Sequence, residues 1–200
     1  TLEPELGPDV GGVGEWPLEH VVKVLCFCHP DDDAGMRAEQ EATIQRLYSA
    51  ARRRRLEFLL EIIPSKVGPV DDDTSAILIQ RFYEIGIYPD WWKLEPMATH
   101  GAWEKTCATI SAKDPHTRGI VVLGLDAPEA ELAASFRVAA SFDLVKGFAV
   151  GRTIFGAAAR GWLAGELSDD QAVGQMESNY RNLCHIWDQA RSAARAAHVA

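Results

Sequence analysis

The stretch Leu56-Glu57-Phe58-Leu59-Leu60-Glu61-Ile62-Ile63 decides the fold. Its apolar residues run almost without break, as in strands of a parallel sheet covered on both faces. Similar runs recur at His20–Phe27 (HVVKVLCF), Asp90–Pro96 (DWWKLEP), Gly119–Leu125 (GIVVLGL) and Leu144–Val150 (LVKGFAV). Helical patterns follow them at about 33–54, 74–85, 102–112, 129–140 and 154–163, and a last helix is expected from Asp169 to about Ala197. Strands alternating with helices imply βαβ units and a parallel sheet.

Polar residues inside these runs separate an open sheet from a barrel. Lys23, Glu61, Lys93 and Lys146 would each cost several kcal/mol if buried in an open sheet without partners. In a (β/α)₈ barrel they can point inward near the C-terminal rim and converge on one site. A complete TIM barrel needs eight strands and typically about 250 residues. The chain has 200 residues and about five βα units. It therefore reads as α/β, the C-terminal part of a (β/α)₈ TIM barrel, with roughly three N-terminal strands missing. Residues 17–190 are assigned to this partial barrel. Residues 1–16, rich in Gly, Pro and acids, read as a loop or linker, and 191–200 as a C-terminal tail.

The net charge of −9 disfavours phosphate backbones and anionic lipid, so neither nucleic acid nor membrane is an expected partner. No apolar run approaches the roughly 20 residues of a membrane span. The sequence starts without Met and without a basic-then-apolar leader, which reads as a processed or excised piece rather than a secretory precursor. Cys26, Cys28, Cys107 and Cys184 include no CxxC pair, and they read as reduced thiols of a cytoplasmic protein. His29, His100 and His116 lack metal-ligand spacing with nearby acids. No metal or organic cofactor is expected.

Lys93 lies in Pro89-Asp90-Trp91-Trp92-Lys93-Leu94-Glu95-Pro96. An amine attacks a carbonyl only when neutral, a form favoured by burial among aromatics and by a second cation nearby. Trp91 and Trp92 are expected to wall the amine, and Lys23 to supply the charge. The plainer alternative is a lysine snorkelling from a strand end. Glu61, between aliphatic residues, needs a partner such as Lys23 or Lys93. It could serve as a general acid–base or as half of a structural ion pair.

Gly147-Phe148-Ala149-Val150-Gly151-Arg152 closes the last strand and opens a helix. Gly151 and Arg152 suit phosphate binding at a helix N-terminus, with Gly124 as the matching glycine of the preceding strand. Tight strand-to-helix turns would also use glycines. His29, in His29-Pro30-Asp31-Asp32-Asp33, is a candidate substrate contact, while Asp32 or Asp33 is expected to cap a helix. The basic run Arg52–Arg55 reads as a solvated helix end.

Taken in order, VVKVLCFCHPDDD, LLEIIP, PDWWKLEP, VVLGLDAPEAEL and LVKGFAVGRTIFG resemble one family across about residues 16–190. It is the barrel domain fused behind a sugar kinase in bacterial inositol-catabolism proteins, related to the tagatose-bisphosphate class I aldolases. The resemblance implies that Lys93, on strand six of the whole barrel, is the Schiff-base lysine. It places Lys23 and Glu61 on strands four and five as proton-transfer and charge-tuning residues. Gly124, Gly151 and Arg152 would bind the substrate phosphate. The implied reaction cleaves 6-phospho-5-dehydro-2-deoxygluconate to dihydroxyacetone phosphate and malonate semialdehyde. A fused or associated sugar kinase and a homo-oligomer are the implied partners. Two rival readings stand beside it: a non-catalytic phosphosugar-binding barrel accessory to the kinase, and an isomerase using Glu61 as base. Lys146 is the rival imine lysine.

Overall fold

The computed structural model describes residues 2–5, 7, 10–125 and 127–199. Five strands alternate with helices, and their order in the sheet is the order of the sequence. Each strand thus neighbours the next one along the chain, the connectivity of a barrel wall. The chain divides into two compact units, residues 1–94 with 101–120, and residues 95–100 with 121–200.

The first unit holds β1 (Val21–Cys26), β2 (Glu57–Ile62) and β3 (Trp91–Leu94), with α1 (Ala34–Arg54), α2 (Thr74–Glu84) and α3 (His100–Lys113) between and after them. Both strand pairings are parallel. Alternation decides which side chains meet the helices. Val22, Val24, Phe58, Leu60, Ile62, Trp92 and Leu94 are buried on one face, each such side chain worth roughly 1.5–3 kcal/mol. Ile44 and Ala51 of α1, Leu78, Ile79 and Phe82 of α2, and Trp103 and Ile110 of α3 are also buried in this unit. Val21, Lys23, Leu25, Leu59, Trp91 and Lys93 alternate with that set and remain partly or fully exposed. Glu61 is the buried exception among these odd-numbered positions.

Helix α1 starts where Asp33 accepts from the N–H groups of Gly35 and Met36, the capping role expected there. Arg55 closes it in the left-handed region at φ 60°. Its neighbour Arg52 departs from the solvated helix end read in the sequence. Arg52 donates to Asp90 Oδ2 at 2.7 Å and to Tyr88 O at 2.6 Å, and the same carboxylate oxygen accepts from Phe58 N–H at 2.7 Å. The guanidinium therefore ties the end of α1 to the start of β2 and β3. The presumed linker also contributes to the core. Gly11–Glu15 forms a 3-10 turn, and Val10 and Val13 are buried there. Thr1, Leu6, Pro8 and Asp9 of that segment lie outside the described residues.

The second unit contains β5 (Val145–Ala149), α4 (Glu129–Ala139), α5 (Arg152–Leu163) and α6 (Asp169–Val199), together with most of β4 (Gly119–Leu123). Phe136 of α4 stacks on Phe148 of β5 with ring centroids 5.1 Å apart, and Trp187 of α6 meets Phe136 edge-on at 5.4 Å. Helix α6 continues through the stretch read as a tail. Arg191 on it donates to Ala140 O and Phe142 O at 2.7 and 2.9 Å, fixing the turn before β5. No helix among the described residues is long and apolar enough to cross a membrane.

Candidate active site

Three parallel strands bring Lys23, Glu61 and Lys93 together. Register pairs Leu25 with Glu61 and Glu61 with Lys93, and places Lys23 beside Leu59, one residue pair lower on the same face. Lys23 Nζ lies 2.6 Å from Glu61 Oε2, and Lys93 Nζ lies 3.1 Å from Oε1. The carboxylate is thus held between two ammonium groups, one on each oxygen. Exposure differs sharply, with the Glu61 side chain 7% accessible, Lys93 19% and Lys23 46%. Lys23 Nζ stands at ion-pair distance from Oε2, and that oxygen accepts no hydrogen bond from another group among the described residues. Oε2 is the buried atom of this site with lone pairs left for a further donor.

The two tryptophans part company. Trp92 is fully buried on the helix-facing side and donates its indole N–H to the Tyr83 hydroxyl at 2.9 Å. It cannot wall Lys93, because successive strand residues point to opposite faces. Trp91, two positions from Lys93, shares its face. Its Nε1–H donates to Glu57 Oε2 at 2.8 Å, and Arg118 Nη2 lies 2.7 Å from Glu57 Oε1. Neither Glu57 nor Arg118 stood out in the sequence. The available signal was the spacing of Glu57, Leu59 and Glu61, which puts both carboxylates on one face of β2.

His29 braces a loop. With the proton on Nε2, that atom donates to Pro69 O at 2.9 Å while Nδ1 accepts from Asp31 N–H at 3.2 Å. Both ring nitrogens are occupied, and the ring is buried against Gly68, where even a Cβ would come within 3.2 Å of it. The structure thus gives His29 internal partners on both ring nitrogens, where the sequence reading expected a substrate contact. Among the thiols, the Cys26 side chain and burial hold the Cys28 thiol strongly in its protonated form, and burial pushes Cys107 up to about 12. Among the described residues, no group of three or more His, Cys, Asp and Glu side chains is placed to hold a metal ion.

In the second unit, Gly124 follows β4 and packs against the end of β5. A Cβ there would lie 2.9 Å from Val150 Cγ1, so the close approach requires glycine. Gly151 is the residue before α5, with Arg152 first in that helix and exposed. Gly124 and the Gly151–Arg152 turn are thereby drawn together through Val150. Lys146 is placed differently from the other strand lysines. It lies at the N-terminal end of β5 and donates to Asp143 O at 2.7 Å, away from the carboxyl end where an inward-facing site lysine was expected.

The family described as uncharacterized protein conserved in bacteria (DUF2090) matches residues 1–191. No curated protein matches the sequence. Among solved structures, the chain is similar to the fructose-bisphosphate aldolase of Plasmodium falciparum, crystallised with TRAP and a small-molecule inhibitor. The identity is 15%, the TM-score 0.55, and the match covers 87% of this chain and 55% of that one. A Corynebacterium glutamicum protein matches at 21% identity and a TM-score of 0.48, over 80% of this chain and 50% of that one. The chain spans about half the length of these structures. The aldolase likeness, at this identity, concerns the fold.

Proposed function

The chain belongs to the DUF2090 family, and from its fold and site geometry we propose that it supplies the catalytic face of a class I, Schiff-base aldolase. The observation that carries this reading is the buried Glu61 carboxylate with Lys93 on one oxygen and Lys23 on the other. A structural ion pair needs one cation. Two lysines on a single carboxylate leave one amine free to act as nucleophile while the other keeps the carboxylate paired.

Lys93, the less exposed amine, attacks the ketone of a phosphorylated keto sugar acid. Loss of water leaves a protonated imine. Glu61 takes the proton of the hydroxyl that is β to the imine carbon. The C–C bond between the hydroxyl-bearing carbon and its neighbour breaks, its electron pair moving into the iminium to give an enamine. For 6-phospho-5-dehydro-2-deoxygluconate the departing fragment is malonate semialdehyde. Protonation of the enamine carbon and addition of water then release dihydroxyacetone phosphate and restore the amine. Lys23 holds the charge of Glu61 as it gains and loses that proton. Gly124, Gly151 and Arg152 are proposed to bind the substrate phosphate through backbone N–H groups and a guanidinium.

Borohydride reduction in the presence of dihydroxyacetone phosphate tests the reading directly. It is expected to add the mass of the reduced adduct at Lys93. An adduct at Lys146, or one that persists in Lys93→Arg, moves the imine elsewhere. Absence of any adduct in a chain that cleaves the keto acid excludes the imine mechanism.

A further inference from the structure

We propose that Trp91 is a positioning residue for Lys93, anchored by Glu57 and Arg118 so that its indole closes the N-terminal side of the site. The inference rests on the aldolase reading for its kinetic consequence, but its geometry is independent of it. Glu57 is the first residue of β2, Trp91 the first of β3, and Arg118 immediately precedes β4. Their side chains form one chain of contacts across the strand starts: Trp91 Nε1 to Glu57 Oε2 at 2.8 Å, and Glu57 Oε1 to Arg118 Nη2 at 2.7 Å. Arg118 is itself fixed, its N–H donating to Asp90 O at 2.8 Å.

Two consequences follow for the lysine. Trp91 and Lys93 are two residues apart on one strand, so their side chains stand side by side on the same face. Lys93 is mostly covered although no residue of the helix-packed core lies on that face. On β2 its register partner is Glu61, with Leu59 opposite Trp91, and Trp91 is the aromatic residue two positions away on its own strand and face. The second consequence is electrostatic. Glu57 is four residues from Glu61 on the same face of β2, roughly 13 Å away at about 3.3 Å per residue, so its charge is answered by Arg118 and leaves the Lys93–Glu61 pair undisturbed. Paired with Arg118 and hydrogen-bonded to the indole, Glu57 is drawn to the opposite end of the strands. Glu61 is the carboxylate ion-paired with Lys93 on this face.

The test uses the whole chain with Trp91→Phe, Trp91→Ala, Glu57→Leu and Glu57→Gln. Borohydride trapping with dihydroxyacetone phosphate is followed in time across sugar concentrations. Trp91→Phe and Glu57→Leu are expected to slow adduct formation at saturation about tenfold, the scale of a small misplacement of the reacting group. The half-saturating concentration should stay within about twofold, as for a residue that acts through Lys93 rather than on the sugar. Glu57→Gln, which keeps an oxygen acceptor for the indole, should restore most of the rate. Reductive methylation with formaldehyde and dimethylamine–borane, without sugar, reads the same geometry. Trp91→Ala should raise labelling of Lys93 relative to Lys23 at least about threefold by uncovering the lysine stem. If the parent chain forms no adduct, the imine reading fails and methylation alone decides the role of Trp91. If trapping rate and methylation match the parent while only the melting temperature falls, Trp91 is a structural brace and the proposal is overturned.

Discussion

Replacing each lysine of the site by methionine separates exposure from distance. Lys93 lies 3.1 Å from Glu61 and Lys23 only 2.6 Å, so distance alone ranks Lys23 as the stronger partner. At 3.1 Å and an effective dielectric of about 20, the Coulomb attraction of the Lys93 pair is about 5 kcal/mol. Desolvation of a mostly covered amine and a buried carboxylate offsets much of it. What remains is the scale of a charged hydrogen bond, roughly 1.5–3 kcal/mol. Lys23 is nearly half exposed, water competes for it, and its pair is worth about 0–1 kcal/mol. Lys93→Met is therefore expected to lower the urea midpoint by about 1 M and Lys23→Met by less than about 0.5 M, with a slope near 2 kcal/mol/M. Methionine cannot form an imine, so Lys93→Met should also lower the cleavage rate by on the order of 10³-fold or more. Urea unfolding followed by circular dichroism, run beside a coupled assay for dihydroxyacetone phosphate, measures both. Equal midpoint shifts, or a larger one for Lys23→Met, would refute the ranking by exposure. Cleavage above about 1% of the parent rate in Lys93→Met would refute its role as the imine lysine.

Arg152→Ala should raise KM for a phosphorylated substrate by about 10- to 100-fold, the loss of one charged hydrogen bond of roughly 1.5–3 kcal/mol; steady-state kinetics giving an unchanged KM would remove Arg152 from the site. Gly124→Ala places a Cβ 2.9 Å from Val150, an overpacking expected to destabilise by about 1–3 kcal/mol, and a thermal melt identical to the parent would show that Val150 yields freely. Because burial raises the Cys107 thiol to about 12 from an ordinary 9.0, the folded chain keeps a proton that the unfolded chain releases above pH 9. Stability from this group is present below pH 9 and falls as pH rises from 9 toward 12. Urea titrations of Cys107→Ala and the parent should diverge across that window, and parallel curves would contradict the shift.

The parallel α/β class was legible because it rests on local information. Continuous apolar runs, turn residues and helix periodicity need no knowledge of distant partners, and element boundaries fell within about two residues of the observed ones at most ends. Asp33 was readable as a cap for the same reason, since its partners are two and three residues away. The grouping of Lys23, Glu61 and Lys93 was also within reach. Each lies inside an apolar run, and buried charges in successive parallel strands have few places to find partners.

Several assignments that departed from the sequence reading depended on strand position or on a distant partner. Trp91 and Trp92 are adjacent in sequence, but a one-residue step on a strand reverses the face, so only Trp91 shares the side of Lys93. Lys146 resembled the other strand lysines until its position at the start of β5 set it against Asp143 O. His29 and Arg52 looked free because their partners, Pro69 and Asp90, lie 40 and 38 residues further along the chain. Local composition and periodicity determined which segments are strands and which are helices. The packing of those segments, with one face of β1–β3 covered by helices and the other carrying Lys23, Glu61 and Lys93, decided which side chains meet. That choice depends on the free energy of the whole arrangement of partners, to which no single stretch of sequence has access.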